Sequence, residues 1–169
     1  MTQHTSTYYV WIGGSCDYGH KERAGGAAVV IEQLEQETRT CLNATSLRSK
    51  KSKGKHNGNI IGRDVISGLH TTEFRMMLAL MIKVMQEMPA DSDILFLTNA
   101  AYLLNFDKAP TPQSANQDLI AQCSEEKKRH HSVGVKNVPY HKSALLIETH
   151  DMATQAMVQT RKEFHHKPQ

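Results

Sequence analysis

The 169-residue sequence is short of three things: cysteine, long apolar runs and a decisive charge of either sign. Its three cysteines, Cys16, Cys41 and Cys123, are odd in number and far apart, so they offer neither a disulfide framework nor the paired spacing of a zinc site. They read as reduced, structural thiols. No stretch approaches the roughly 18 apolar residues a spanning helix needs, so no membrane partner is expected. The opening Met-Thr-Gln-His-Thr-Ser-Thr has neither the basic start nor the apolar stretch of a secretory leader, and a cytoplasmic location is expected. The net charge of +3, with His neutral, permits an anionic partner without demanding one. The ten histidines add to that charge only as pH falls.

What is present suffices for one core. An apolar fraction of 39% and this length predict a single domain over residues 1–169. Aromatic and β-branched residues predict a strand over Tyr8 to Ile12, ended by a turn at Gly13-Gly14. A second strand is predicted over Gly25 to Ile31, with Asp17 to Arg23 as the hairpin, and a third within Thr38 to Ser46. Residues 47–63 read as a basic, flexible loop insertion. Phe74, Met77, Leu78, Met81, Ile82, Met85 and Met88 recur at helical spacing, which predicts a helix over Glu73 to Met88 capped by Thr71 or Thr72.

The apolar run Ile94 to Leu97 predicts a central strand. Short helices are expected over Ala100 to Phe106 and Asn116 to His131, and a strand over Val133 to Tyr140. A loop over His141 to Ile147 and a last helix over Glu148 to Phe164 follow. This order predicts an α/β fold with a mixed five-stranded sheet flanked by helices.

Four motifs then point to a family. Val10-Trp11-Ile12-Gly13-Gly14-Ser15-Cys16 resembles the first-strand motif of type 1 ribonuclease H, aromatic-Thr-Asp-Gly-Ser-Cys. Thr71-Thr72-Glu73-Phe74-Arg75-Met76-Met77-Leu78 is similar to that family's Thr-Thr-Asn-Asn-Arg-Met-Glu-Leu at its first helix. Leu97-Thr98-Asn99-Ala100-Ala101-Tyr102 is similar to its Thr-Asp-Ser-Gln-Tyr, and His141 precedes Asp151 as the family's mobile histidine precedes its last aspartate. The motifs occur in order and cover Tyr8 to Phe164.

The resemblance implies a ribonuclease H-like fold and cleavage of the RNA strand of an RNA/DNA hybrid with two magnesium ions held by four carboxylates. At those four positions this chain has Gly13, Met77, Asn99 and Asp151, one carboxylate of four. Magnesium wants anionic oxygen ligands, whereas glycine has no side chain, a thioether is soft, and an amide oxygen is uncharged. Hydrolysis at the family's own site is therefore not expected, and no cofactor is assigned. Asp151 and His141 remain as remnants. The alternative is a relocated Mg2+ site from Asp17, Glu73 and Asp151, which would make the chain a magnesium-dependent endoribonuclease. The plainer reading of Glu73 is an acid favoured by a helix N-terminus.

Nucleic-acid contacts implied by the resemblance are retained at Gly14, Ser15, Cys16 and Thr72, although turn geometry and helix capping explain the same residues. Lys50, Lys51, Lys53 and Lys55 can neutralise phosphates in RNA or a hybrid without reading sequence. Lys127 to His131 would extend that patch, or else forms an ordinary charged helix end. The histidines show no zinc spacing. These features lead to three readings: a noncatalytic module binding an RNA/DNA hybrid or duplex RNA, a scaffold for a protein partner, and a nuclease with displaced carboxylates.

Overall fold

The computed structural model describes residues 6–34, 58–106 and 116–166. Among them are strands β1 (Thr7–Cys16), β2 (Gly25–Leu34) and β3 (Gly58–Gly68), helix α1 (Glu73–Glu87) and strand β4 (Asp93–Thr98). Helix α2 (Gln117–Lys127), strand β5 (Ser132–Asn137) and helix α3 (Ala144–His166) complete the order. Short 3-10 turns cover Ala101–Asn105 and Tyr140–Lys142. The sheet runs β3-β2-β1-β4-β5, antiparallel from β3 to β1 and parallel from β1 to β5. It is the mixed five-stranded sheet that the sequence predicts. No helix among the described residues is long and apolar enough to cross a membrane.

The period-2 alternation of β1 explains the layering. Tyr8, Val10 and Ile12 face a main core with the methionine stripe of α1, including Met77, Met81 and Met85, and with Ile94, Phe96 and Ile120. Tyr9 and Trp11 face a smaller core on the other side with Val30, Leu97, Leu145 and Leu146. There the Trp11 indole N–H donates to the buried carboxylate of Glu32. Helices α1 and α2 thus cover one face and α3 the other. Thr72 is the α1 cap, accepting from the Arg75 amide at 3.1 Å.

The structure differs from the expectations at the Gly13-Gly14 turn, at the loop over Gly58 to Arg63 and at the start of the last helix. Gly13 and Gly14 are not a turn: β1 runs through both to Cys16, and the glycines mark where helices press on the strand from either side. The expected third strand within Thr38 to Ser46 lies outside the described residues, and the strand antiparallel to β2 is β3. Gly58 to Arg63, expected as loop, are its first half. Being a mostly exposed edge strand with a register shift at Ile31/Glu32, β3 has no clean alternation to read. Helix α3 begins at Ala144 rather than Glu148, because the Ser143 hydroxyl accepts from the Leu145 amide at 3.2 Å and starts it early.

Candidate functional site

The site lies where the sheet changes from antiparallel to parallel pairing, at the C-terminal ends of β1 and β4. A crevice outside the carboxyl ends of strands at such a switch point is the usual ligand position in open α/β sheets. Asn99 follows the last residue of β4, and α1 and α3 pack against the end of β1 from opposite faces.

On the α3 side there is no room for a side chain at Gly13. An ideal Cβ built there would stand 2.6 Å from Thr149 Oγ1, 3.1 Å from the His150 amide nitrogen and 3.2 Å from His150 Cδ2. The neighbouring Gly26 is pressed by the same helix, its Cβ direction meeting the Ala153 carbonyl. His150 Nε2 lies 2.7 Å from Asn99 Oδ1, and the imidazole also hydrogen-bonds the Gly14 backbone. Burial holds the His150 pKa below the ordinary histidine value, against the opposing effects of that hydrogen bond and the Asp151 charge. The Tyr140 ring stands edge-on to His150 at 5.0 Å and to His141 at 5.4 Å.

The side chain that meets Asn99 is therefore that of His150, one residue before the aspartate that the motif spacing singles out. Asp151 and His141 are both exposed. Nothing in the spacing marked His150, since one step along a helix turns a side chain by about 100° and only the true start of α3 decides which one faces inward.

On the α1 side the Cβ direction of Gly14 meets Glu73 Cγ and Met77 Cγ, each at 2.8 Å. Met77 is fully buried, and its sulfur lies 3.4 Å from the Tyr102 hydroxyl oxygen. Glu73 is half-buried, with the Tyr102 hydroxyl donating to its carboxylate and the Tyr18 hydroxyl accepting from its amide at 3.2 Å. Glu73 stands in the first turn of α1, and burial raises its pKa, outweighing the Tyr102 hydrogen bond. Burial and the Glu73 carboxylate in turn push the Tyr102 phenol up. Burial likewise raises the Cys16 thiol, which donates to the Thr71 carbonyl at 3.5 Å. Ser15 Oγ contacts Met157 Sδ at 3.5 Å.

A raised carboxyl pKa means that folding disfavours the anion. The contribution is fully present below the ordinary glutamate value of 4.5 and is lost as pH rises through the folded-state value. Glu73→Gln, which keeps the acceptor for Tyr102, is expected to be more stable than the parent at pH 7 and to lose that advantage at pH 4. Urea unfolding at the two pH values measures it. An advantage that persists undiminished at pH 4 would show that ionisation is not its source.

The relocated metal site does not assemble. Asp17 is ion-paired with Arg161 and lies 3.4 Å from His20, which fastens the β1–β2 hairpin to α3 rather than to Glu73. Among the described residues, no three His, Cys, Asp or Glu side chains come together as a metal site. The family's own positions do not fit two magnesium ions either: the space beside Gly13 is filled by α3, Met77 offers sulfur, and the Asn99 oxygen is engaged by His150.

Of the proposed nucleic-acid contacts, Gly14 packs on Glu73 and Met77, Ser15 on Met157 of α3, Cys16 on the Thr71 carbonyl, and Thr72 caps α1, while Lys50, Lys51, Lys53 and Lys55 lie outside the described residues. Lys127 to His131 adds little free charge: Lys128 pairs with Glu125, Arg129 with Glu126, and His131 with Asp93. His130 is buried against the Met85 carbonyl.

No protein-family model and no curated protein matches the sequence. Solved structures do. LC9-RNase H1, a type 1 RNase H with the type 2 active-site motif, superposes with a TM-score of 0.69 at 17% identity, covering 94% of this chain and 75% of that one. The N-terminal RNase H domain of rv2228c from Mycobacterium tuberculosis, solved as a fusion with maltose-binding protein, gives 0.65 at 8% identity, covering 95% and 99%. LC11-RNase H1 in complex with RNA/DNA hybrid gives 0.62 at 12% identity, covering 91% and 99%. With the strand order and flanking helices described above, these likenesses establish that the chain has a ribonuclease H-like fold.

Proposed function

We propose that this chain is a noncatalytic ribonuclease H-like module, a pseudoenzyme that binds nucleic acid. The observation that carries the reading is the packing of α3 against Gly13, with His150 and Asn99 joined where metal-binding carboxylates would be needed. Two-metal hydrolysis needs several anionic ligands to offset the repulsion between the cations, and the positions on β1, α1 and after β4 hold Gly13, Met77 and Asn99, none of them anionic. The nucleic-acid part rests on the fold, which it shares with a protein solved on an RNA/DNA hybrid, and on the basic segment Arg48 to Lys55. Four lysines within six positions, with no acidic residue among them, suit phosphates rather than bases.

The test is a gel-shift titration of the full chain against labelled RNA/DNA hybrid, duplex RNA and single strands, with and without magnesium, followed by a denaturing gel. Binding without cleavage is expected, weakening as salt rises. Changing Lys50, Lys51, Lys53 and Lys55 to Gln should reduce the slope of log affinity against log salt by roughly 0.7–0.9 for each lysine that contacts a phosphate. Magnesium-dependent products would overturn the noncatalytic part, and failure to bind any of these at low salt would overturn the nucleic-acid part. In the second case a protein-binding scaffold is the better reading, and the exposed Ile60, Ile61 and Val65 on the edge strand β3 favour it.

A further inference from the structure

Tyr18 is 60% accessible and Tyr102 38%, and both hydroxyls are tied to α1 around Glu73. An exposed ring free to swing loses entropy when a base stacks on it. A ring pinned by its own hydroxyl has lost that freedom already. Tyr102 is held by an edge-on contact with Phe74 at 5.0 Å, and Tyr18 by the Glu73 amide. Between them is a carboxylate with acceptor positions to spare, since Tyr102 fills one of about four. Tyr18 belongs to the β1–β2 hairpin, whose Lys21 and Arg23 are exposed, and the Arg161–Asp17 ion pair and the His165–Glu22 hydrogen bond fix that hairpin against α3.

From this arrangement we infer that the crevice is a binding site for an unpaired guanine in a single strand, with Tyr18 and Tyr102 as stacking surfaces and the Glu73 carboxylate accepting from the base edge. The inference rests on the nucleic-acid reading above and narrows it. Guanine alone among the common bases presents two adjacent donors, N1–H and the N2 amino group, which match the two oxygens of a carboxylate. In a duplex or hybrid both donors are spent on pairing, so the site selects unpaired bases. Lys21 and Arg23 stand on the hairpin where the flanking phosphates can be met. No metal takes part.

The experiment titrates the full chain, in EDTA, with labelled hexauridylates carrying one central guanosine, inosine or adenosine. Inosine keeps N1–H and lacks the amino group. Affinity should fall in the order guanosine, inosine, adenosine. Tyr18→Ala, at a site too exposed to threaten folding, should lower guanosine-strand affinity by about tenfold, the order expected for one stacked base. Glu73→Gln should collapse the preference among the three while leaving binding of the guanosine strand measurable.

Equal affinities for the three strands, or a Tyr18→Ala variant that binds like the parent, would overturn the inference. If in that case neutralising Lys50 to Lys55 still abolishes binding, the broader nucleic-acid reading stands without it. Failure to bind these strands or the hybrid removes both.

Discussion

Gly13→Ala is expected to destabilise the fold by about 1–3 kcal/mol, the usual cost of forcing extra volume into a packed interior. The sign is the informative part. Within a strand, alanine ordinarily gains over glycine through the smaller entropy loss of its backbone. Here the added Cβ would stand 2.6 Å from Thr149 Oγ1 and 3.1 Å from the His150 amide nitrogen. The hydroxyl is buried and donates to the Leu146 carbonyl at 2.7 Å, so it cannot turn away without leaving a buried polar atom unpaired, and the amide yields only if α3 moves. Gly13→Asp, which formally restores the first carboxylate, should cost at least as much and give no magnesium-dependent cleavage.

Urea unfolding measures both variants. Combining Gly13→Ala with Thr149→Ala should recover part of the loss, a coupling that two independent sites would not show. A Gly13→Ala protein as stable as the parent would mean that α3 gives way readily. The crevice would then be open to a carboxylate after all.

The parts of this fold that could be read from the chain are those whose cause is local. The α1 methionines recur at helical spacing because one face is buried, and Thr72 caps the helix through a bond three residues away. Where two causes leave the same mark, the sequence is silent. A Gly-Gly pair serves equally for a turn and for a strand approached by helices on both faces, and only the arrival of α1 and α3 distinguishes them. The edge strand β3 buries too little to carry a period.

The site was legible as an absence and illegible as an arrangement. Gly13, Met77 and Asn99 stand where the motif resemblance implies carboxylates. That His150 rather than Asp151 meets Asn99 depends on the rotation of α3, which is set by contacts with β1 and β2 far away in sequence. Tyr18 and Tyr102 belong to no periodic pattern and become neighbours only through Glu73.

Returning the helix carboxylate is expected to be the more damaging restoration. Met77→Glu should cost about 3–5 kcal/mol at pH 7, the usual loss when a buried charge has no partner. That is a large share of the roughly 5–15 kcal/mol that keeps a domain folded. Met77 is fully buried against Gly14 and Tyr102, and Glu73 lies one helical turn away as a like charge. Both effects raise the pKa of a glutamate at that position above its unfolded value. Its contribution is therefore least unfavourable below the ordinary glutamate pKa and worsens as pH rises through the folded-state value. Measured against the parent by urea unfolding, the deficit should shrink markedly between pH 7 and pH 4. Met77→Leu, close in volume and uncharged, should cost under about 1.5 kcal/mol at either pH. A Met77→Glu protein that is stable at pH 7 and gains further stability from magnesium would show that the crevice can accept anionic ligands and a cation. The noncatalytic reading would then fail at its foundation.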